Sequence, residues 1–388
     1  MKNNKVTQPI YLDYMATTPI DPRVLEKMLP YLGSISNGIF GNPSSNHYYG
    51  YHAKEGVEEA RAKVATLINC DPKNIIWTSG ATEANNLAIK GAAGFYNRQG
   101  KHLITCKTEH KSVLDPCKYL ETCGFEVTYL TPETDGLINL NKLEQAFRQD
   151  TILVTIMQAN NETGVIQDIA KIGELTRAKG ILLHVDAVQS AGKIPIDLQK
   201  LKVDLMSFSG HKVYGPKGVG ALYIRSQPKL HLIAQIHGGS QEHELRAGTL
   251  ATHQLVGMGE AFHLASKEMT EESDRLLFLR NKLWHGIKNL GNIHLNGSIT
   301  NRIANNLNLS FDDIEGELLL SALKDLAISH TSACIKGIEP SYVLKAMGIS
   351  SKLALNALRI SLGRFTTEKE IDTTIKHINH VVMTLRRS

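Results

Sequence analysis

Between residues 75 and 224 the chain alternates short apolar runs with amphipathic stretches. The strand-like runs fall at 75–78, 102–105, 126–130, 152–157, 181–185, 205–208 and 221–224. Several are rich in Val, Ile and Leu without clean alternation, as a sheet buried on both faces requires. Helix-like stretches lie between the first five, for example at 83–98 and 169–178. This βα rhythm predicts an α/β fold with a mostly parallel central sheet. Beyond about residue 250 the texture changes. A long helical pattern at 256–290 leads to a strand at 306–311, a helix at 315–326, a loop around Cys334 and a strand at 358–362. The final helix opens on Thr367-x-x-Glu370, a capping-box pattern. Its apolar positions Ile371, Ile375, Ile378, Val382 and Leu385 share one face. The pattern predicts a large α/β domain over 17–256, and a smaller α+β domain made of 1–16 and 257–388 that carries the cysteine loop.

Composition narrows the function classes. The 388 residues are 42% hydrophobic and 21% charged, enough to bury a sizeable core and a cleft. A formal charge of +5 with scattered Lys and Arg gives no basic stripe, so no nucleic-acid groove is expected. No apolar run reaches the length of about 18 residues that a membrane span needs, and the N-terminus lacks a signal-peptide pattern. The five cysteines, Cys70, Cys106, Cys117, Cys123 and Cys334, are odd in number and widely spaced. They suggest neither a disulfide framework nor a zinc site, and point to a reducing, cytoplasmic setting with no metal.

Five local patterns carry candidate chemistry. Ser79-Gly80-Ala81-Thr82-Glu83 lies between a strand and a helix, where small residues and free N–H groups make a phosphate cradle. Asp186 ends an apolar strand, where open α/β sheets place their ligands. A carboxylate there serves to pair with a protonated ring nitrogen or to cap a helix. Lys212 follows a strand within Ser209-Gly210-His211-Lys212, the setting of a Schiff-base lysine or of an ordinary loop lysine. Cys334 stands in a loop, from which a thiol with thiolate character can reach a cleft; a small buried cysteine is the plainer alternative. Arg359 interrupts an apolar strand and so needs an anionic partner, either a substrate carboxylate or a structural ion pair.

In this order and at these separations the patterns resemble the cysteine desulfurases of the NifS/IscS type, in the class V aminotransferase group of fold-type I pyridoxal-phosphate (PLP) enzymes. The likeness runs from Tyr11-Leu12-Asp13-Tyr14 to about Leu385. It rests on Phe40-Gly41-Asn42-Pro43-Ser44-Ser45, Thr78-Ser79-Gly80-Ala81-Thr82-Glu83, Thr108-Glu109-His110, Asn160-Asn161-Glu162-Thr163-Gly164, Ser209-Gly210-His211-Lys212 and Leu358-Arg359-Ile360-Ser361-Leu362-Gly363-Arg364. The resemblance implies pyridoxal 5′-phosphate bound to Lys212, with Asp186 on its ring nitrogen and His110 stacked on its ring. It implies Asn161 and Gln189 at the ring face and phenolic oxygen. Ala81, Thr82, Ser209, Gly210 and His211 would surround the phosphate, joined by Thr249 from the other subunit of a homodimer. Arg359 and Asn42 would clamp the carboxylate of L-cysteine. Cys334 would take the sulfur as a persulfide, leaving L-alanine, and pass it to a sulfur-acceptor protein.

The sequence departs from that family at four places. Met15 stands where a small residue is common. The stretch from Gly238 to Thr249 is less rich in Gly and Arg, with His243 and Glu244 its unusual members and Arg246 kept. The cysteine loop has His330 and Thr331 at positions where Ser and Gly are common, and is one residue shorter after Cys334. The chain stops at Ser388, without the extension that housekeeping members use to engage an iron–sulfur scaffold, so a dedicated acceptor or a paralogue role is expected. A selenocysteine lyase, a plain class V aminotransferase and a non-enzymatic sulfur carrier are the alternatives.

Overall fold

The structure is a computed structural model that describes residues 8–330 and 339–387. Seven strands form the main sheet: β1 (Ile75–Thr78), β2 (His102–Cys106), β3 (Glu126–Leu130), β4 (Thr151–Met157), β5 (Leu182–Asp186), β6 (Leu205–Ser209) and β7 (Gly220–Ile224). Their spatial order is β1-β7-β6-β5-β4-β2-β3. The pairs β6–β5, β5–β4, β4–β2 and β2–β3 are parallel, and β7 runs antiparallel to both neighbours. Strand β1 therefore points the same way as β6, and six strands end at one edge.

Helices cover both faces, which explains the missing alternation in the strand sequences. Helices α1 (Tyr48–Leu67), α4 (Ile169–Ala178) and α5 (Thr252–Ile287) pack over Val154, Ile156, Val185 and Phe208. Helices α2 (Ala81–Tyr96) and α3 (Lys111–Thr122) pack over the residues of opposite parity, Leu103, Leu153 and Leu205. Successive strand residues thus feed two separate cores.

A second, antiparallel sheet is built from β8 (Ile293–Leu295), β9 (Asn306–Phe311), β10 (Ser329–His330) and β11 (Ala357–Ser361), in the order β10-β11-β9-β8. Helix α6 (Glu368–Leu385) covers it, and the Thr367–Glu370 capping box is formed in both directions. Residues Ile10–Tyr11 pair in parallel with Leu326–Ala327, and Leu12 enters the same core. The N-terminal segment is thereby stitched to the second sheet before it reaches the first. The helix expected at 315–326 is shorter, Gly316–Ala322, because the chain turns at Leu323 to enter the Leu326–Ala327 strand.

Candidate active site

Loops at the carboxyl ends of the strands build a cavity of about 560 Å³, where the topology of an open parallel sheet places a ligand. The sequence-nominated residues Ala81, Thr82, His110, Asn161, Asp186, Gln189, Ser209, His211, Lys212 and Arg359 all line it. Gly210 lies buried in the turn behind Lys212, where an added Cβ would meet Val219 at 2.9 Å. Asn42 and Thr249 are exposed and stand outside this cavity. Cys334 lies outside the described residues.

One end of the cavity is the start of α2. An α-helix leaves its first N–H groups without internal partners, and those of Ala81 and Thr82 open here beside Ser209, His211 and Lys217. Gly80 begins the turn at φ +155, and an added Cβ on Gly220 would sit 2.7 Å from its backbone. Two glycines thus let β7 pass close to the cradle. The 238–249 segment is tied to this end through Arg246, which pairs with Glu83 at 3.0 Å. Its departure from the family pattern falls on a strained turn: Glu242, His243 and Glu244 all have positive φ. The turn is held by Glu242, whose carboxylate accepts from Arg61 at 2.8 and 2.9 Å and from the Trp77 N–H at 2.7 Å.

Lys212 ends a single helical turn, Gly210–Lys212, directly after β6. Its Nζ donates to the carbonyls of Met15 and Ala16, each at 2.7 Å. Desolvation, aided by the positive charges of Lys193 and Arg359 and opposed by Asp13 and Asp186, brings its pKa down to about 7. Much of it is therefore a free amine near neutral pH, as a carbonyl-attacking lysine needs.

His110 and Asp186 are joined by two residues that the sequence reading did not nominate. The Nδ1 of His110 accepts from the Ser112 N–H at 3.1 Å and faces the Ser112 hydroxyl at 2.8 Å. Asn85, fully buried on α2, donates to Ser112 Oγ and to Asp186 Oδ2, each at 2.9 Å. Asp186 Oδ1 accepts from the Val188 N–H at 3.0 Å. With Nδ1 used as an acceptor, the neutral ring carries its proton on Nε2. Burial, with Lys212 adding to it and Asp186 opposing, lowers the His110 pKa and favours that neutral form.

Arg359 reaches the cavity from β11 of the second sheet. It donates to the Asn161 carbonyl at 2.8 Å, to Asp13 Oδ1 at 2.8 Å and to Ser329 Oγ at 3.2 Å. Ser329 in turn donates to Asp13 Oδ2 at 2.7 Å. On the other side of residues 331–338, Ser341 donates to the buried Glu162 at 2.5 Å and Tyr342 to the Glu109 carbonyl at 2.8 Å. The described residues flanking the cysteine segment are therefore fastened to the cavity wall at both ends. The other thiols stand apart from it. Burial pushes Cys106 up to about 11, and Cys70 and Cys117 up to about 12, holding all three protonated at neutral pH. Cys123 is exposed and does not line the cavity.

A family model described as aminotransferase class-V matches residues 10–374. The cysteine desulfurases IscS of Serratia proteamaculans and of Escherichia coli K12 are each 58% identical over 380 residues, 97% of this chain and 94% of the relative. The chain belongs to the class-V aminotransferase family, in its cysteine desulfurase branch. Among solved structures, a NifS-like protein superposes with a TM-score of 0.91 at 39% identity, covering 97% of this chain and 100% of that one. SspA in complex with cysteine gives 0.82 at 39% identity, covering 92% of this chain and 100% of that one.

The cofactor of this family is pyridoxal 5′-phosphate, and the residues present fit it. Asn161 Oδ1, Gln189 Oε1 and Arg359 Nε are buried without a hydrogen-bond partner among the described residues, and all three side chains line the cavity. Buried polar atoms are normally paired, so three orphans around one cavity suit a polar ligand with substituents on its ring. The carboxylate of Asp186 faces a cavity that also holds the amine of Lys212 and the helix start at Ala81, giving acid, amine and anion site in one space.

Met15 and Ala16 contribute only carbonyls to Lys212, and side-chain patterns cannot announce such a role. Asn85 had a faint signal: an amide among Ala84, Leu87 and Ala88 on the buried face of a helix. Lys217 and Gly218 had one too, as a Gly-Pro-Lys-Gly turn directly after the lysine.

Proposed function

We propose that this cysteine desulfurase uses Lys212 to hold pyridoxal 5′-phosphate, Arg359 to bind the carboxylate of L-cysteine, and Cys334 to receive the sulfur. The observation that supports it most directly is the meeting, in one cavity, of a lysine with a pKa near 7, the Asp186 carboxylate and the Arg359 guanidinium. Bound there, the cofactor supplies an electron sink for the pair released at the substrate's α-carbon. Asp186, held by its bonds from Asn85 and Val188, would pair with the ring nitrogen. His110, which lines the cavity with its proton on Nε2, would move protons there. Lys212 would hold the cofactor and, as a largely free amine in the same cavity, would serve as the base at the substrate's α-carbon.

The sulfur step belongs to the protein's own thiol. The Cys334 thiolate attacks the substrate sulfur, so an S–S bond forms and the Cβ–S bond breaks. The pair left on Cβ takes a proton, L-alanine leaves and Cys334 carries the persulfide. An acceptor protein then collects that sulfur.

We further propose a homodimer in which Thr249 completes the phosphate site of the partner subunit. The exposed apolar side chains Leu25, Leu29, Leu32, Ile35 and Phe40 fall within a single stretch, and Ile35 is 75% exposed. A patch of this kind on a soluble chain suits a protein partner. Among the described residues no helix is long and apolar enough to cross a membrane, and a cytoplasmic location with division into domains at 17–256 and 1–16 plus 257–388 completes the reading.

The test is a visible spectrum of the purified protein and an assay of sulfide and alanine from cysteine. The parent should show the absorbance band of a lysine-bound cofactor and release both products. Lys212→Ala should lose the band. Cys334→Ala should keep the band and lose sulfide release. Unchanged sulfide from that variant would remove Cys334 from the mechanism, and amino-group transfer without sulfide would favour the aminotransferase alternative.

A further inference from the structure

A second lysine lies behind the cofactor lysine. Lys193 keeps part of its surface, but its ammonium is turned inward. There it donates to the backbone carbonyls of Gln189 at 3.1 Å and of Lys212 at 3.4 Å. It forms no ion pair among the described residues. Lys193 and Lys212 line the same small cavity, together with Val213, Tyr214 and Glu272. Burying an ammonium against carbonyls alone is costly, and an apolar side chain of similar length would fill the space without that cost. Gln189 and Lys212 both line the larger cavity, so this one cation ties together two of its lining segments.

We propose that Lys193 is a positioning residue for Lys212: its ammonium fixes the Gln189 and Lys212 backbones and sets a second positive charge in the small cavity that both lysines line. This rests on the desulfurase reading only in taking Lys212 as the cofactor lysine. The other charged groups facing that amine are Arg359, which acts in the same direction, and Asp13 and Asp186, which act against it; desolvation remains the largest influence. His110 and His211 also face it, and burial favours the neutral ring in both. Lys193 itself is brought down to about 8 by burial, with Glu272 opposing, so it is mostly charged at neutral pH. Charge repulsion between two ammonium groups in a poorly solvated space is the device that keeps one of them free as a nucleophile.

The experiment strips the cofactor from the full-length protein and measures acylation of Lys212 by peptide mass spectrometry across a pH series. The parent is compared with Lys193→Met, Lys193→Gln and Lys193→Arg, each checked for native circular dichroism. In Lys193→Met and Lys193→Gln the midpoint of Lys212 reactivity should rise by about one pH unit, the scale of a nearby charge. Lys193→Gln keeps an N–H for the carbonyls, so it separates the charge from the tether and guards against a Met variant that fails to fold. Lys193→Arg should titrate like the parent. A midpoint that stays put in a folded Lys193→Gln, or a Lys193→Arg that shifts as far as Lys193→Gln, overturns the proposal. Sulfide release by the parent is read separately. Parent activity with an unmoved midpoint sinks this inference alone, and a moved midpoint in a parent that makes no sulfide sinks the desulfurase reading alone.

Discussion

Asn85 shows what a single buried amide does for a reactive site. Its two N–H groups are divided between Ser112 and Asp186, so one side chain sets the tautomer of His110 and the aim of the carboxylate. Replacing it with Leu, which fills similar space, leaves both partners short of a donor. Each loss is of order 1–1.5 kcal/mol. Asn85→Leu should therefore lower kcat by about tenfold or more, with the KM for cysteine changed much less, as steady-state kinetics will show. Of the groups that line the cavity, Lys212, Asp186 and Arg359 were legible in the sequence because each is an ionisable group at a strand end or inside an apolar run, and His110 was named by the family resemblance. Asn85, Ser112 and Lys193 were not, because their roles lie in what they touch across the fold. The carbonyls of Met15 and Ala16 leave no mark in side-chain chemistry at all.

At the scale of elements, strands were read well and one long helix was not. The strand runs in the sequence coincide with β1–β7 to within a residue or so, since a strand buried on both faces is apolar throughout. Helix α1 escaped because its buried face is made of Gly50, Ala53, Gly56, Ala60 and Arg61 more than of large apolar residues. Of those small residues Ala60 serves close approach to α5, which with α1 forms the most intimate helix pair in the fold. An added Cβ on Gly259 would lie 2.6 Å from the Ala60 Cα and 3.0 Å from its carbonyl. Gly259→Leu should drive the helices apart and destabilise the protein by about 1–3 kcal/mol, read from the midpoint of denaturant unfolding.

At the scale of the whole molecule, Glu162 joins the two sheets. Its carbonyl accepts from Asn306 and Asn308 of β9, and its carboxyl takes the Ser341 hydroxyl. Desolvation raises the carboxyl to about 7, against the lowering effects of Ser341 and Arg359. The folded state thus holds this proton more tightly than the unfolded chain does. Its contribution to stability is complete below about pH 4.5 and is lost as the pH rises through about 7. The span corresponds to about 3 kcal/mol. The melting temperature of the parent should therefore carry a declining component between pH 5 and pH 8, and Glu162→Gln, which cannot ionise, should remove it. A scanning melt at several pH values checks both. The apolar stretch from Leu25 to Phe40 belongs to this scale too: composition could show that such residues exist, but only the fold shows that they remain uncovered on one chain.

The seam between the sheets also gives Arg359 an internal companion. Before any substrate arrives, Asp13 already holds the guanidinium at 2.8 Å and is itself held by Ser329, next to the cysteine segment. On the proposed role of Arg359, entry of an amino acid exchanges one carboxylate for another. What an affinity measurement reports is the margin by which the guest outbids the resident. Asp13→Asn weakens the resident, and should lower the dissociation constant for L-alanine, a carboxylate ligand without sulfur.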